Sequence, residues 1–174
     1  MLETQISLQK EITKLVRRLR KEKSPAEILL ILKKTFPLEK LKRFLIENWH
    51  IIYDEKKRTE LGAYYTPNEI VDLAKRELER LLGSIEEYTI LDPACGCGSF
   101  LLKDWKAKKV IGADIDKDVF EILNFLKMLL QKDIHIVHTN SLCSVSREKF
   151  GISPDDKLII VGNPPYNDRT SKNK

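Results

Sequence analysis

Leu91-Asp92-Pro93-Ala94-Cys95-Gly96-Cys97-Gly98-Ser99-Phe100-Leu101 sets two glycines and a proline between an apolar run and a helix-like segment. It follows a short apolar run, Thr89 to Leu91, that reads as a strand, and a helix is expected to follow it through Trp105. Glycines in a strand-to-helix turn let the backbone approach a ligand closely, and a helix N-terminus favours negative groups. Outward from this turn, strand-like and helix-like segments alternate. Val110 to Ala113 reads as a strand, Asp118 to Leu130 as a helix, and Ile134 to Val137 and Leu158 to Val161 as strands. Such alternation predicts an α/β fold with a parallel sheet covered by helices.

Asp114 ends the second strand, where an acid suits a ribose diol because one carboxylate accepts from two hydroxyls. Adenine dinucleotides and S-adenosylmethionine both present that diol, so Asp114 does not choose between them. A dinucleotide turn wants a third Gly where this chain has Leu101, which weakens the nicotinamide reading. Asp116 and Asp118 suit helix capping better than ligand binding.

Val161-Gly162-Asn163-Pro164-Pro165-Tyr166 follows the last strand, at the end where open α/β sheets bind ligands. Two prolines remove two N–H donors. Acceptors remain, the Asn163 side-chain oxygen and the Pro164 carbonyl, and Tyr166 adds an aromatic face. Such a loop suits a planar amine stacked on a ring. Two acceptors out of the ring plane draw the nitrogen toward tetrahedral geometry and free its lone pair.

The first 58 residues contain no Gly and read as a small helical bundle. Leu8, Ile12, Leu15 and Leu19 recur at helical spacing over residues 5–22. Ser24-Pro25-Ala26-Glu27 is a capping box opening a second helix, in which Ile28 to Leu32 are apolar on every side. A third helix after Pro37 places Leu38, Leu41, Leu45 and Trp49 on one face. A second capping box, Thr66-Pro67-Asn68-Glu69, precedes Ile70, Leu73, Leu78 and Leu81, and Gly83 closes that helix.

The chain has 174 residues and a formal net charge of +5. Residues 1–60 hold 15 Lys and Arg against 9 Asp and Glu, so the positive excess is N-terminal. Basic helices bind nucleic acid, but these alternate with glutamates and also fit a solvated face. The longest apolar run, Ile28 to Leu32, is far too short to span a bilayer. Three cysteines make no disulfide framework, which fits a cytoplasmic protein. Cys95 and Cys97 lack the second pair a structural zinc site requires, and His135 and His138 point to opposite faces of a strand, so no metal is expected.

With these motifs in this order, the sequence resembles the N6-adenine DNA methyltransferases of restriction–modification systems, in particular type I modification subunits and fused type IIG-like enzymes. Gly62-Ala63-Tyr64-Tyr65-Thr66-Pro67 is similar to the family's motif X, Asp92 to Phe100 to motif I, Asp114 to motif II and Asn163 to Tyr166 to motif IV. Asn140-Ser141 falls on motif III, where the family usually has Asp. The resemblance implies a partial Rossmann-like S-adenosylmethionine-dependent methyltransferase sheet of about four parallel strands, spanning residues 59–174, after an all-α region over 1–58. It implies S-adenosylmethionine held by Tyr65, Thr66, Pro67, Asp92, Ala94, Gly96, Gly98, Asp114, Ile115, Asn140, Ser141 and Asn163. Asn163 and Pro164 would hold the N6 amine of an adenine flipped out of duplex DNA, with Tyr166 stacked on the base.

Glutamine-N5 and guanine-N2 RNA methyltransferases share the Asn-Pro-Pro-Tyr loop, and a non-catalytic cofactor-binding or assembly module is a further alternative. The family's sheet has seven strands and this sequence supplies four, with no target-recognition segment. The chain is therefore expected to be part of a longer protein, half of a split enzyme needing a C-terminal half or specificity subunit, or an oligomer covering its open sheet edge. Alone it is expected to be inactive on DNA.

Overall fold

Four short apolar segments pair into one parallel sheet: β1 (Tyr88–Asp92), β2 (Lys109–Asp114), β3 (His135–His138) and β4 (Lys157–Ile160). The computed structural model describes residues 2–53, 66–96, 98–143 and 146–165. The strand order is β3-β2-β1-β4, so the chain moves outward from β1 on one side and returns to pair β4 on the other. That reversal opens a crevice beyond the carboxyl ends of β1 and β4. β4 is an edge strand with Ile160 exposed.

Alternate residues of the strands feed two cores, as the pleat requires. Ile90, Val110 and Ile159 face a large core, and Leu91, Ile111 and Ala113 face a smaller one closed by Phe150 and Ile152. The large core is covered by α5 (Lys117–Leu130), through Val119, Ile122, Leu123 and Leu126. It is continuous with the N-terminal helices α1 (Leu2–Leu19), α2 (Pro25–Thr35) and α3 (Leu38–Asn48), because α2 packs directly on α5. Ile12, Val16, Ile28, Leu29, Leu32, Leu41 and Leu45 are fully buried in it.

The Ser24–Glu27 capping box forms as expected, with Ser24 N–H donating to Glu27 at 2.9 Å and Glu27 N–H to the Ser24 hydroxyl at 3.3 Å. Helix α2 is not apolar-covered all round, since Leu30 is exposed, and in α3 Leu38 is exposed while Phe44 is buried instead.

Two further expectations are corrected. The helix expected from the Gly-rich turn through Trp105 does not form, and residues 99–102 make turns. Pro93 and the positive φ of Gly96 and Gly98 keep the first half of the β1–β2 connection irregular. In the remainder, the Phe100 carbonyl that a helix would use accepts from the Trp105 indole N–H at 2.6 Å. One helical hydrogen bond remains, Leu102 N–H to the Gly98 carbonyl at 2.9 Å.

The second correction concerns α4 (Asn68–Leu82). Its N-cap is Pro67, with no side-chain capping bond, so the Thr66–Glu69 box is not made. Its core-facing stripe is buried Val71 with half-buried Ala74 and Leu78, while Ile70, Leu73 and Leu81 are exposed. Both sets have helical spacing, and packing against the large core selects between them. Gly83 ends the helix at φ 74° as expected.

Candidate cofactor site

Each strand of the sheet delivers its carboxyl end to one pocket of about 470 Å³. β1 brings Asp92 and the turn through Ala94, Cys95 and Gly96; β2 brings Asp114 and Ile115; β3 brings Asn140 and Ser141; β4 brings Asn163 and Pro164. Thr66, just before α4, closes the set. Ten of the residues singled out from the sequence thus meet in one place.

Pro67 and Gly98 do not line this pocket. Pro67 is exposed at the start of α4. Gly98 serves packing: its φ is 71°, and a Cβ there would stand 2.5 Å from Leu123 Cδ2. Tyr65, Tyr166 and the remainder of the motif X stretch before Thr66 lie outside the described residues.

The loop of β1 is stitched to β2. Cys95 N–H donates to the Ala113 carbonyl at 2.9 Å, and Gly96 N–H to Asp114 Oδ2 at 2.8 Å. Asp116 N–H donates to Asp114 Oδ1 at 2.9 Å, so both carboxylate oxygens are oriented by backbone. A carboxylate offers about four acceptor positions, so capacity remains for ligand hydroxyls. Burial raises the Asp114 pKa against these bonds.

Asp92 is almost wholly buried at the floor of the same turn, where it accepts from Ala94 N–H at 3.2 Å. Burial, reinforced by Asp114, pushes its pKa up to about 7. Gly162 lies against it: a Cβ on Gly162 would stand 2.5 Å from Asp92 Oδ1. A side chain there would force the Asn163 loop away from the turn of β1.

Asn163 Nδ2 donates to the Thr66 hydroxyl at 3.3 Å. That bond turns the amide so that Oδ1 is its other, accepting end. Asn140 folds back on its own loop, accepting from Leu142 N–H at 2.9 Å. The Ser141 hydroxyl is buried beside the pocket without a hydrogen-bond partner among the described residues.

Some pocket residues carry no local signal in the sequence. Tyr53, 63 residues from Asp116, lines the pocket and donates its hydroxyl to Asp116 Oδ2. Val119 adds apolar wall, beside Phe100 at the end of the Gly-rich stretch. Asp116 is the N-cap of α5, accepting from Asp118 N–H at 2.8 Å, as its position in the sequence suggested.

The charge of the pocket separates the ligands that Asp114 alone left open. Its lining includes the carboxyls of Asp92, Asp114 and Asp116 and no Lys, Arg or His among the described residues. A dinucleotide would bring a pyrophosphate to three acids, and the turn opens no helix whose N-terminus could receive it. S-adenosylmethionine fits: it carries a sulfonium and an ammonium, and its ribose matches the oriented Asp114 acceptor. No group of metal-ligating side chains is found among the described residues.

Comparison with known proteins agrees with this geometry. The chain is 32% identical over 121 residues to the type II methyltransferase M.CvrRI of Paramecium bursaria Chlorella virus XZ-6E, covering 68% of this chain and 28% of that protein. It is 29% identical over 133 residues to the type I restriction enzyme MjaVIII methylase subunit of Methanocaldococcus jannaschii, covering 68% and 22%. The chain thus spans about a quarter of the length of the curated relatives it matches. A class I S-adenosylmethionine-dependent methyltransferase of Listeria monocytogenes superposes with a TM-score of 0.57 at 18% identity, over 83% of this chain and 56% of that one, which shows the fold. The N-6 DNA Methylase family model matches residues 44–174. On that match, the chain belongs to the N-6 DNA methylase family.

Proposed function

We propose that this chain carries the cofactor site and the catalytic loop of an S-adenosylmethionine-dependent DNA methyltransferase acting on the N6 amine of adenine. The observation that carries the reading is a pocket lined by three acids and, among the described residues, by no Lys, Arg or His, closed by the Asn163-Pro164 acceptor pair.

S-adenosylmethionine supplies an electrophilic methyl group on a positively charged sulfur. Asp114, fixed by Gly96 and Asp116, would accept from the ribose hydroxyls. Asp92 offers a buried carboxylate to the cationic part of the ligand. Ser141 and Asn140 offer polar groups at the adenine end. Thr66 holds the Nδ2 side of Asn163, so Oδ1 and the Pro164 carbonyl both present lone pairs to an incoming amine. Those acceptors would localise the nitrogen lone pair toward the methyl group that the bound cofactor would supply, sulfur keeping the electron pair of the methyl–sulfur bond and solvent taking the displaced amine proton. Catalysis then rests on positioning and on polarising the amine.

The substrate is duplex DNA with the target adenine flipped out, at a cost of a few kcal/mol recovered by stacking and edge contacts. Partners completing the enzyme, a C-terminal half or a specificity subunit, belong to the same proposal. No described helix is long and apolar enough to cross a membrane.

The test is labelled methyl transfer to plasmid DNA, with and without a candidate C-terminal half, and digestion to nucleosides. N6-methyladenine that disappears with Asn163→Ala supports the proposal. Label in another nucleoside, or in a glutamine-containing peptide offered in parallel, overturns the substrate assignment.

A further inference from the structure

One wall of the pocket comes from outside the sheet and its loops. Tyr53 follows the 3-10 turn Trp49–Ile51 at the end of the N-terminal helices and is 2% exposed. Its hydroxyl donates to Asp116, whose backbone N–H in turn orients Asp114. Asp116 therefore holds the α5 N-terminus, the Asp114 carboxylate and Tyr53 together. On its other side Tyr53 is anchored by α1: Arg20 Nη1 donates to the Ile51 carbonyl at 2.9 Å and to the Tyr53 carbonyl at 3.4 Å. Ile52, between them, is buried in the core shared by the helices and the sheet. A continuous line of hydrogen bonds thus runs from the end of α1, through Tyr53 and Asp116, to Asp114.

We propose that Tyr53 is a positioning residue for the cofactor, through which the N-terminal helical region sets the shape of the ribose end of the pocket. Tyr53 supplies apolar wall with its ring and fixes Asp116 with its hydroxyl, so that Asp114 is preorganised before the ligand arrives. Preorganised acceptors lose less ordering freedom on binding and hold the ligand more tightly. Coupling is reciprocal: a ligand seated on Asp114 should tighten the segment that carries Tyr53, because binding free energies are linked. This inference rests on the adenosylmethionine reading of the pocket.

The experiment is calorimetric titration of the 174-residue chain with S-adenosylmethionine, run beside amide hydrogen exchange with and without the ligand. Tyr53→Phe should weaken binding by roughly tenfold, within the range of coupling between two linked sites. Arg20→Met, which removes the hydrogen bonds to the Ile51 and Tyr53 carbonyls, should weaken it by a smaller factor. Lys33→Ala, on the exposed side of α2, should leave it unchanged. In the unmodified chain the ligand should slow exchange at the Ile52 and Tyr53 amides, which a merely structural Tyr53 would not do. Unchanged affinity in a folded Tyr53→Phe chain, or ligand binding with no added protection at residues 52 and 53, overturns the inference and leaves the pocket reading intact. Absence of S-adenosylmethionine binding by the unmodified chain overturns both.

Discussion

Asp92 should cost the protein stability at the pH where it is needed. Its carboxyl is buried and its pKa is pushed from the ordinary 3.8 up to about 7. The folded protein therefore keeps a proton on Asp92 that the unfolded chain releases near pH 4. Stability from this group is fully present below the unfolded value and is lost as pH rises through the folded one. Between pH 5 and pH 8 those two values correspond to a loss of about 2–3 kcal/mol. Asn is nearly isosteric, can still accept from Ala94 N–H, and does not titrate. Asp92→Asn should thus gain on the unmodified chain by about 2–3 kcal/mol more at pH 8 than at pH 5, or roughly 5–10 °C in melting temperature for a chain of this size. The assay is thermal melting of both proteins at the two pH values without ligand, read as a difference of differences, which cancels every group common to both. A melting gap that does not change between pH 5 and pH 8 would refute the reasoning. The cost has a functional meaning, because a buried carboxyl held near neutrality is ready to ionise for a cationic ligand. Active sites commonly trade stability for such readiness.

Further predictions concern backbone and loop positions. Gly98→Ala should destabilise by about 1–3 kcal/mol in denaturant melts, since it meets Leu123 and needs an L-residue at positive φ. Gly162→Ala should weaken S-adenosylmethionine binding in calorimetry, because its Cβ displaces either Asp92 or the Asn163 loop; unaltered affinity would count against the close approach of the two. Ser24→Ala, which removes one half of an exposed capping box, should cost about 1 kcal/mol in the same melts and leave ligand affinity unaltered.

The strands were legible because each is a short apolar run bounded by turn residues, and each was off by a residue or so at its ends. The site was legible because its residues sit at strand ends, where a parallel sheet must bring them together. Ten of them do meet in one pocket. Other features depended on contacts that no local pattern carries. The stretch after Gly98 looks like the start of a helix, yet the Trp105 indole claims a carbonyl that the helix would need. Thr66 looks like an N-cap, yet its hydroxyl accepts from Asn163, 97 residues away. On α4 the sequence offers two apolar stripes, and only packing into the large core decides that Val71 is buried while Ile70 is not. Tyr53 reads as one aromatic beside a run of charges, and its place in the pocket follows only from the packing of the helical region on the sheet.

The central claim is that the acidic pocket takes a cationic adenosine ligand. Calorimetric titration of the chain with S-adenosylmethionine, beside NAD and beside Asp114→Ala, tests it most directly. S-adenosylmethionine should bind, NAD should not, and Asp114→Ala should weaken the binding by tenfold or more. Binding of NAD in preference, or S-adenosylmethionine affinity indifferent to Asp114→Ala, would contradict it.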